Sequence, residues 1–385
     1  MKSIKFSYNL ELLFLFFAFF SILNNGVFEI LGIRLYLIIG TLGFFFYKYK
    51  LKYFNNILTY ELLYFFILYF IIKLFIQYED KHIAERTILQ KFDGRYLSQL
   101  FRIILEIITS VYFYTLYLKY KSTFLKTLLL ATNYTIIIAL IDYLFLNTSL
   151  YHLFLGNTHV SNRFTALNIE PRMFGLILVY VYVFLKLMNF SDKNLLLIVI
   201  SIFLTISVSS IIIFLISFLY FNKKNKYIVT ATLSILFFLI AFLIIPFKDD
   251  LILIYKRLDL ITTIDSNNDD YYSIFSILEV FDRAALNSLF NNKIYLITGF
   301  GPNTISIPSS DYIAPSSFNT YGGIINSVPH TGLINILSRS GFIFLLLFGI
   351  KLFHKKKWFF FLIYLLQMNF IFYSFYLILY DSKEE

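Results

Sequence analysis

A polytopic all-α membrane bundle is the fold class this sequence predicts, and three observations predict it. Hydrophobic residues fill 59% of 385 positions and charged residues 15%, against about 25% charged in an ordinary soluble domain. The apolar residues form long unbroken runs, such as Leu10–Leu23 and Leu195–Phe221, instead of the alternation of a membrane β-barrel. Phe (48) and Tyr (31) raise the aromatic share to 21%, and mean hydropathy is +0.73. Too few polar side chains remain to cover a water-facing surface. A soluble globular enzyme, a disordered chain and a fibrous protein are excluded.

Cysteine is absent, so disulfides, thiolate metal sites and a cysteine nucleophile are excluded. The net charge of +10 is assigned to lysines that orient the spans, and no nucleic acid partner is expected. The first apolar run has no small-residue cleavage site after it, so it is expected to be a retained span.

The runs and the lysines order the chain. Lys2 and Lys5 precede the first run, Leu10–Leu23. After the polar turn Asn24–Asn25–Gly26, a second run ends near Tyr47, before Lys48, Lys50 and Lys52. A third run covers about Ile57–Tyr78, and the loop Glu79–Gln99 follows. A fourth ends near Leu118, before Lys119 and Lys121, and a fifth near Leu146. The loop Asn147–Glu170 precedes a sixth, from Pro171 to about Met188. Leu195–Phe221 follows, then Lys223, Lys224 and Lys226, and a run that ends near Phe247. After the polar segment Lys248–Pro329, two further runs cover about Thr331–Phe353 and Trp358–Tyr380.

With the N-terminus in the cytoplasm, all the lysine clusters fall inside if Leu195–Phe221 is a hairpin that turns near Val208–Ser210. As a single span, its 27 residues would carry Lys223, Lys224 and Lys226 outside. The expected count is about eleven crossings, with ten or twelve as alternatives. Residues 1–247 are read as transmembrane helices, 248–329 as an extracytoplasmic cap and 330–385 as C-terminal transmembrane helices. The cap carries five Lys/Arg and nine Asp/Glu. Its length exceeds a mere connection. No internal repeat is visible, which counts against a transporter.

Few residues in this chain can carry chemistry. His330 stands at the end of the cap, before a span, where an imidazole can act as a base near neutral pH; the plainer reading is an interfacial polar group. Arg339 lies nine residues on, roughly 13 Å deeper along a helix. An intramembrane arginine is costly and often functional; the alternative is a structural ion pair. Arg34 invites the same reading. Arg102 has Glu106 four residues on, so a local pair is its plainer reading.

A second cluster is Asn162–Gly175, NRFTALNIEPRMFG. Pro171 suits the first position of a helix, with Glu170 at its start and Arg163 and Arg172 flanking it. Arginine forks fit phosphate oxygens; interfacial snorkelling and capping are the alternative. Arg257 and Arg283, in the cap, have Asp259 and Asp282 beside them, so surface salt bridges are their plainer reading. Gly299–Phe300–Gly301 lacks the strand–turn–helix unit that a nucleotide site needs. No Asp-x-Asp triplet exists, and His82, His152, His159 and His354 lack metal-ligand spacing.

These motifs in this order resemble the family of O-antigen ligases and O-antigen (Wzy-type) polymerases. The residues that carry the resemblance are RFTALNIEPRMFG (from Arg163), GFGPN (Gly299–Asn303) and PHTGLINILSRSGFIF (from Pro329). It covers about the C-terminal two-thirds, from residue 160; the first 150 residues match as generic spans. Two positions depart from the family. LTISVSS (Leu204–Ser210) has Val208 where an arginine of a Thr-x-Ser-Arg turn is expected, and Thr331 follows the histidine where asparagine or serine is common.

The resemblance implies inverting, metal-independent glycosyl transfer from a polyprenyl-diphosphate-linked oligosaccharide, on the outer face of the bacterial cytoplasmic membrane, with no cofactor. Membrane lipids and other membrane proteins of polysaccharide assembly are the further partners. The base is assigned to His330, with Glu170 as the alternative. Arg163, Arg172, Arg257, Arg283 and Arg339 are the candidate diphosphate clamps. The Glu-Pro motif and the richness in Phe, Ile and Tyr favour a polymerase of repeat units. A ligase that passes the glycan to a lipid A core, and a lipid-linked oligosaccharide flippase, are the alternatives. The 82-residue outer loop argues against the flippase.

Overall fold

The computed structural model describes residues 2–24, 29–30, 33–46, 64, 66–68, 70–71, 92–146, 164, 171–225, 227, 229–234, 280–301, 304–310, 312 and 332–354. The described residues are overwhelmingly helical, so the all-α class holds. The helices are α1 (Lys2–Leu23), α2 (Leu35–Phe46), α3 (Phe92–Ile141), α4 (Pro171–Leu187), α5 (Asp192–Leu204), α6 (Val208–Asn222), α7 (Val280–Asn291), α8 (Lys293–Thr298), α9 (Ser306–Ser310) and α10 (Gly332–His354). A minimal hairpin joins α1 to α2, with β1 (Glu29–Ile30) antiparallel to β2 (Ile33–Arg34) and Glu29 opposite Arg34. Among the described residues, one stretch, Gly94–Leu144, is long and apolar enough to cross a membrane; shorter apolar helical stretches of 10–17 residues lie at Glu11–Leu23, Leu35–Phe45, Phe174–Leu187, Ser210–Asn222 and Leu333–Leu346.

That long stretch is not straight. Lys121 has non-helical angles (φ 13°, ψ −86°), and the contacts on its two sides show that the chain reverses there. Before it, Gly40 lies against Thr109 and Gly43 against Tyr112, so α2 and the first half of α3 run in the same direction. That half ends at Lys119, whose Nζ lies 3.2 Å from Glu11, and at Tyr120, whose hydroxyl donates to the same carboxylate. After Lys121 the chain climbs back beside α1, and Asn24 Nδ2 donates to Thr135 Oγ1 at 3.2 Å. Phe19 touches both halves, with ring centroids 5.8 Å from Phe113 and 5.1 Å from Phe124. Lys119 and Lys121 therefore sit at a turn, where the sequence places a loop between two runs.

The apolar run Leu195–Phe221 is divided between two helices that meet at Thr205–Ser207. At one end, Lys186 Nζ bonds Asp192 at 2.9 Å and joins α4 to α5. At the other end, Gly175 of α4 lies against Thr205 and Ser210. Tyr182 of α4 then stacks edge-on against Phe214 and Phe221 of α6. Hence α5 runs antiparallel to α4 and α6 runs back beside it. This is the expected hairpin, turned a few residues earlier than Val208–Ser210. The core of this trio is near-continuous on α4, where every residue from Phe174 to Leu185 is buried. Hydrophobic burial at about 25 cal/mol per Å² holds such a helix wherever water is its alternative.

The third group packs α7 on α8, α9 and α10, and α8 on α10. Gly341 interrupts α10 with φ +71° and ψ 178°.

Candidate functional site

Most of the residues named from sequence fall outside the described ones. His330, Glu170, Arg163 and Arg257 lie there. Arg172 is the second residue of α4, a helix that starts at Pro171 as expected; its side chain is not among those described. Arg283 lies on α7 and Arg339 on α10. The described residues bring the surrounding motifs to two junctions.

The first junction forms where α5 gives way to α6. Ile206 is held at φ +49°, a region that a β-branched residue seldom occupies. The break is satisfied by hydroxyls from its own sequence. Thr205 Oγ1 donates to the Ile202 carbonyl at 2.7 Å and accepts from Ser207 N at 3.3 Å. Ser210 Oγ donates to Ser207 Oγ at 2.9 Å. A Cβ on Gly175 would stand 2.5 Å from Ser210 Oγ and 2.9 Å from Thr205 Oγ1, so a glycine is what lets α4 approach. Phe164 packs on Phe174 of α4 (5.7 Å) and on Tyr143 (6.2 Å). Gly175, the last residue of the Arg-Glu-Pro-Gly motif, and the LTISVSS segment thus meet. The hydroxyls of Thr205, Ser207 and Ser210 are buried at the meeting point.

The second junction forms at the break in α10. In an unbroken helix the carbonyls of Ser338, Arg339 and Ser340 would accept from amides four residues on. Gly341 turns the chain away, and other segments supply the donors. Phe300 N donates to the Ser338 carbonyl at 2.7 Å and Gly301 N to the Arg339 carbonyl at 3.0 Å. Tyr64 Oη donates to the Ser340 carbonyl at 2.5 Å. The Gly-x-Gly segment is a cap supplied from elsewhere in the chain, the physical equivalent of a helix C-cap. Both of its glycines are needed for that. Gly299 has φ +77°, and a Cβ there would meet the Arg339 backbone at 2.6 Å; Gly301 has φ +96° and lies on the Tyr96 ring of α3. Between them Phe300 is fully buried and stacks on Tyr295 with centroids 4.0 Å apart. Burial pushes the Tyr295 phenol up to about 12.

Arg339 reaches the N-terminal third through charge. Glu106 of α3 is buried, within electrostatic range of Arg34, Arg102 and Arg339. The pairing of Arg102 with Glu106 read from their spacing is therefore not exclusive, since Arg34 and Arg339 are also within electrostatic range of that group. Arg283 differs from its sequence reading as well. Asp282 beside it is buried, and Arg283 Nε is enclosed with no hydrogen-bond partner among the described residues, so this is no solvated surface pair.

Glu106, Tyr64 and Tyr96 were missed as members of a candidate site. A carboxylate in an apolar run is a signal in its own right, but the neighbouring Arg102 accounted for it too readily. Nothing in the sequence marks the two tyrosines among 31. No protein-family model, curated protein or solved structure matches this chain.

Proposed function

We propose that the chain is a surface-polysaccharide polymerase of the outer face of the cytoplasmic membrane. It would join polyprenyl-diphosphate-linked repeat units by inverting, metal-independent glycosyl transfer. The observation that carries this reading is the first junction. Gly175 of α4, the last residue of the Arg-Glu-Pro-Gly motif, lies against the buried hydroxyls of Thr205 and Ser210, two segments that the family resemblance names. The reading keeps the topology of about eleven crossings with the N-terminus inside. It is supported by the lysine distribution and by broad exposed apolar faces, such as Leu13, Phe14 and Phe17 on α1, which suit lipid better than water.

In this mechanism the diphosphate is the leaving group, and arginine forks stabilise the charge that develops on its oxygens. Arg163, Arg172, Arg257, Arg283 and Arg339 are the candidates. His330 takes the proton from the acceptor hydroxyl as the new glycosidic bond forms and the bond to the phosphate oxygen breaks. Glu170 is the alternative base.

The test is purified protein in lipid with a polyprenyl-diphosphate-linked repeat unit. The polymerase reading expects chain growth from this donor alone, unaffected by a chelator. His330→Ala should slow growth about 10²–10⁴-fold, and Arg163→Lys should rescue Arg163→Ala poorly, because a point charge cannot reproduce the planar fork. Transfer to a lipid A core, with no growth from donor alone, would mark a ligase instead. Movement of the donor across the bilayer without bond cleavage would mark a flippase.

A further inference from the structure

The sequence places residues 248–329 in an aqueous cap, and α7 and α8 lie within it. Their contacts place them lower. α8 packs along α10, a helix of the run read as a span. The amides of Phe300 and Gly301 reach the carbonyls of Ser338 and Arg339. Those carbonyls lie six and seven residues past the start of α10 at Gly332, roughly 10 Å along it. The Ile297 carbonyl lies against Gly341, and Gly301 lies on Tyr96. Tyr96 belongs to the stretch Gly94–Leu144, which is long and apolar enough to cross a membrane.

Two further observations suit lipid and not water. The first is the backbone of the turn at Gly299–Gly301. Gly299 N donates to the Tyr295 carbonyl at 2.7 Å, and Phe300 N and Gly301 N donate across to α10 at 2.7 and 3.0 Å. Thr298 Oγ1 lies 3.2 Å from the Gly299 carbonyl, and Thr304 Oγ1 lies 2.6 and 3.0 Å from those of Phe300 and Gly301. Every amide and carbonyl of this irregular segment thus meets protein, and its three residues are buried. A loop in water can leave such groups to solvent; non-helical backbone at membrane depth cannot. The second observation is the outer surface. From Ala284 to Ser310 the only charged residue is Lys293. Phe290 at the end of α7, and Ile294 and Ile297 on one face of α8, expose 48%, 50% and 52% of their surface. This ridge reaches α10 at Gly341, where Phe342 and Ile343 are themselves exposed. Lys293, also exposed, has the stem to hold its ammonium among headgroups while the ridge lies below.

We infer that α7 and α8 form a re-entrant element whose ridge of Phe290, Ile294 and Ile297 is solvated by the acyl chains of the bilayer. Lipid is the partner because the ridge continues the exposed apolar face of α10, carries a single cation that suits lipid phosphates, and is backed by a turn that needs no water. The inference rests on the span reading of α10 and not on the polymerase activity.

The chain has no cysteine, so one introduced thiol carries one nitroxide label. In lipid bilayers, labels at Ile294→Cys and Ile297→Cys should be relaxed by dissolved oxygen about tenfold or more strongly than by chromium oxalate, since an anion is excluded from hydrocarbon. Labels at Phe342→Cys and Leu346→Cys, both exposed on α10, mark the span and should show the same preference. Chromium oxalate access at 294 and 297, with oxygen preferred at 342 and 346, would overturn this inference alone and return α7 and α8 to the aqueous cap. Relaxation by neither reagent at 294 and 297 would also overturn it, and would show that protein covers the ridge. Chromium oxalate access at 342 and 346 would overturn the span reading of α10 and this inference with it. None of these readouts needs an activity, so each failure is distinct from a failure of the polymerase reading.

Discussion

The two broken helices of this protein solve the same problem in opposite ways. At Thr205–Ser207 the freed backbone groups are met by hydroxyls within six residues of the break. At Gly341 they are met by a loop about forty residues earlier and by a tyrosine in the third apolar run. In a membrane interior, where water cannot repair a missing bond, either solution is sufficient. They differ in what they couple. A break that caps itself is a local feature, and its neighbours can shift without opening it. A break capped from elsewhere makes α10 depend on α8 and on the helix around Tyr64, and a change in any of them reaches Arg339.

Substitutions at the glycines should separate the two cases most sharply. Gly299→Val or Gly341→Val should cost about 3 kcal/mol or more, because each adds a positive-φ penalty to a clash. The added Cβ would meet backbone in both: Arg339 and Ser340 for Gly299, the Ile297 carbonyl for Gly341. Thermal unfolding in detergent should show the loss, and no truncation of a neighbouring side chain should recover it. Gly175→Ala should cost less, about 1–3 kcal/mol, since its nearest obstacle is the Ser210 side chain. On a Ser210→Gly background the same change should cost markedly less than in the parent. If the two junctions behave alike in this experiment, the contrast between them fails.

Single hydrogen bonds give the next level. Tyr64→Phe leaves the Ser340 carbonyl without its donor and should cost about 1–3 kcal/mol, whereas Ser207→Ala removes the hydroxyl bond from Ser210 and should cost about 1 kcal/mol. A larger loss from Ser207→Ala than from Tyr64→Phe would show that the first break is the more dependent of the two.

Tyr295→Phe should have the smallest effect, within about 0.5 kcal/mol, because the phenol oxygen is buried with no hydrogen-bond partner among the described residues and the ring stack on Phe300 survives. The sign of the pH dependence follows from its raised phenol. Its pKa of about 12 in the folded chain exceeds the free value of 10.0, so the neutral ring contributes fully below the free value. That contribution is lost as pH rises from the free value through the folded one. The alkaline loss of stability in that window should be smaller in Tyr295→Phe than in the parent.

Composition and run length were enough to decide the all-α class, because a chain this apolar can satisfy its backbone only internally. The start of α4 at Pro171, the turn at Lys119–Lys121 and the division of Leu195–Phe221 were equally legible. A proline that fits the first helical position, lysines that cannot stay in an apolar run, and a Ser/Thr-rich stretch that supplies its own capping hydroxyls all act within a few residues. What the Gly-x-Gly segment does was not legible, since its partners are carbonyls of a helix about forty residues later and carbonyls carry no side-chain signature. The same holds for Glu106. Spacing on its own helix pairs it with Arg102, but the charges within its range also include Arg339, more than two hundred residues away. Local rules fix where helices begin, turn and stop; long-range packing decides which charges and which broken ends meet, because loop closure links residues at a cost that grows slowly with their separation and leaves no periodic trace in the chain.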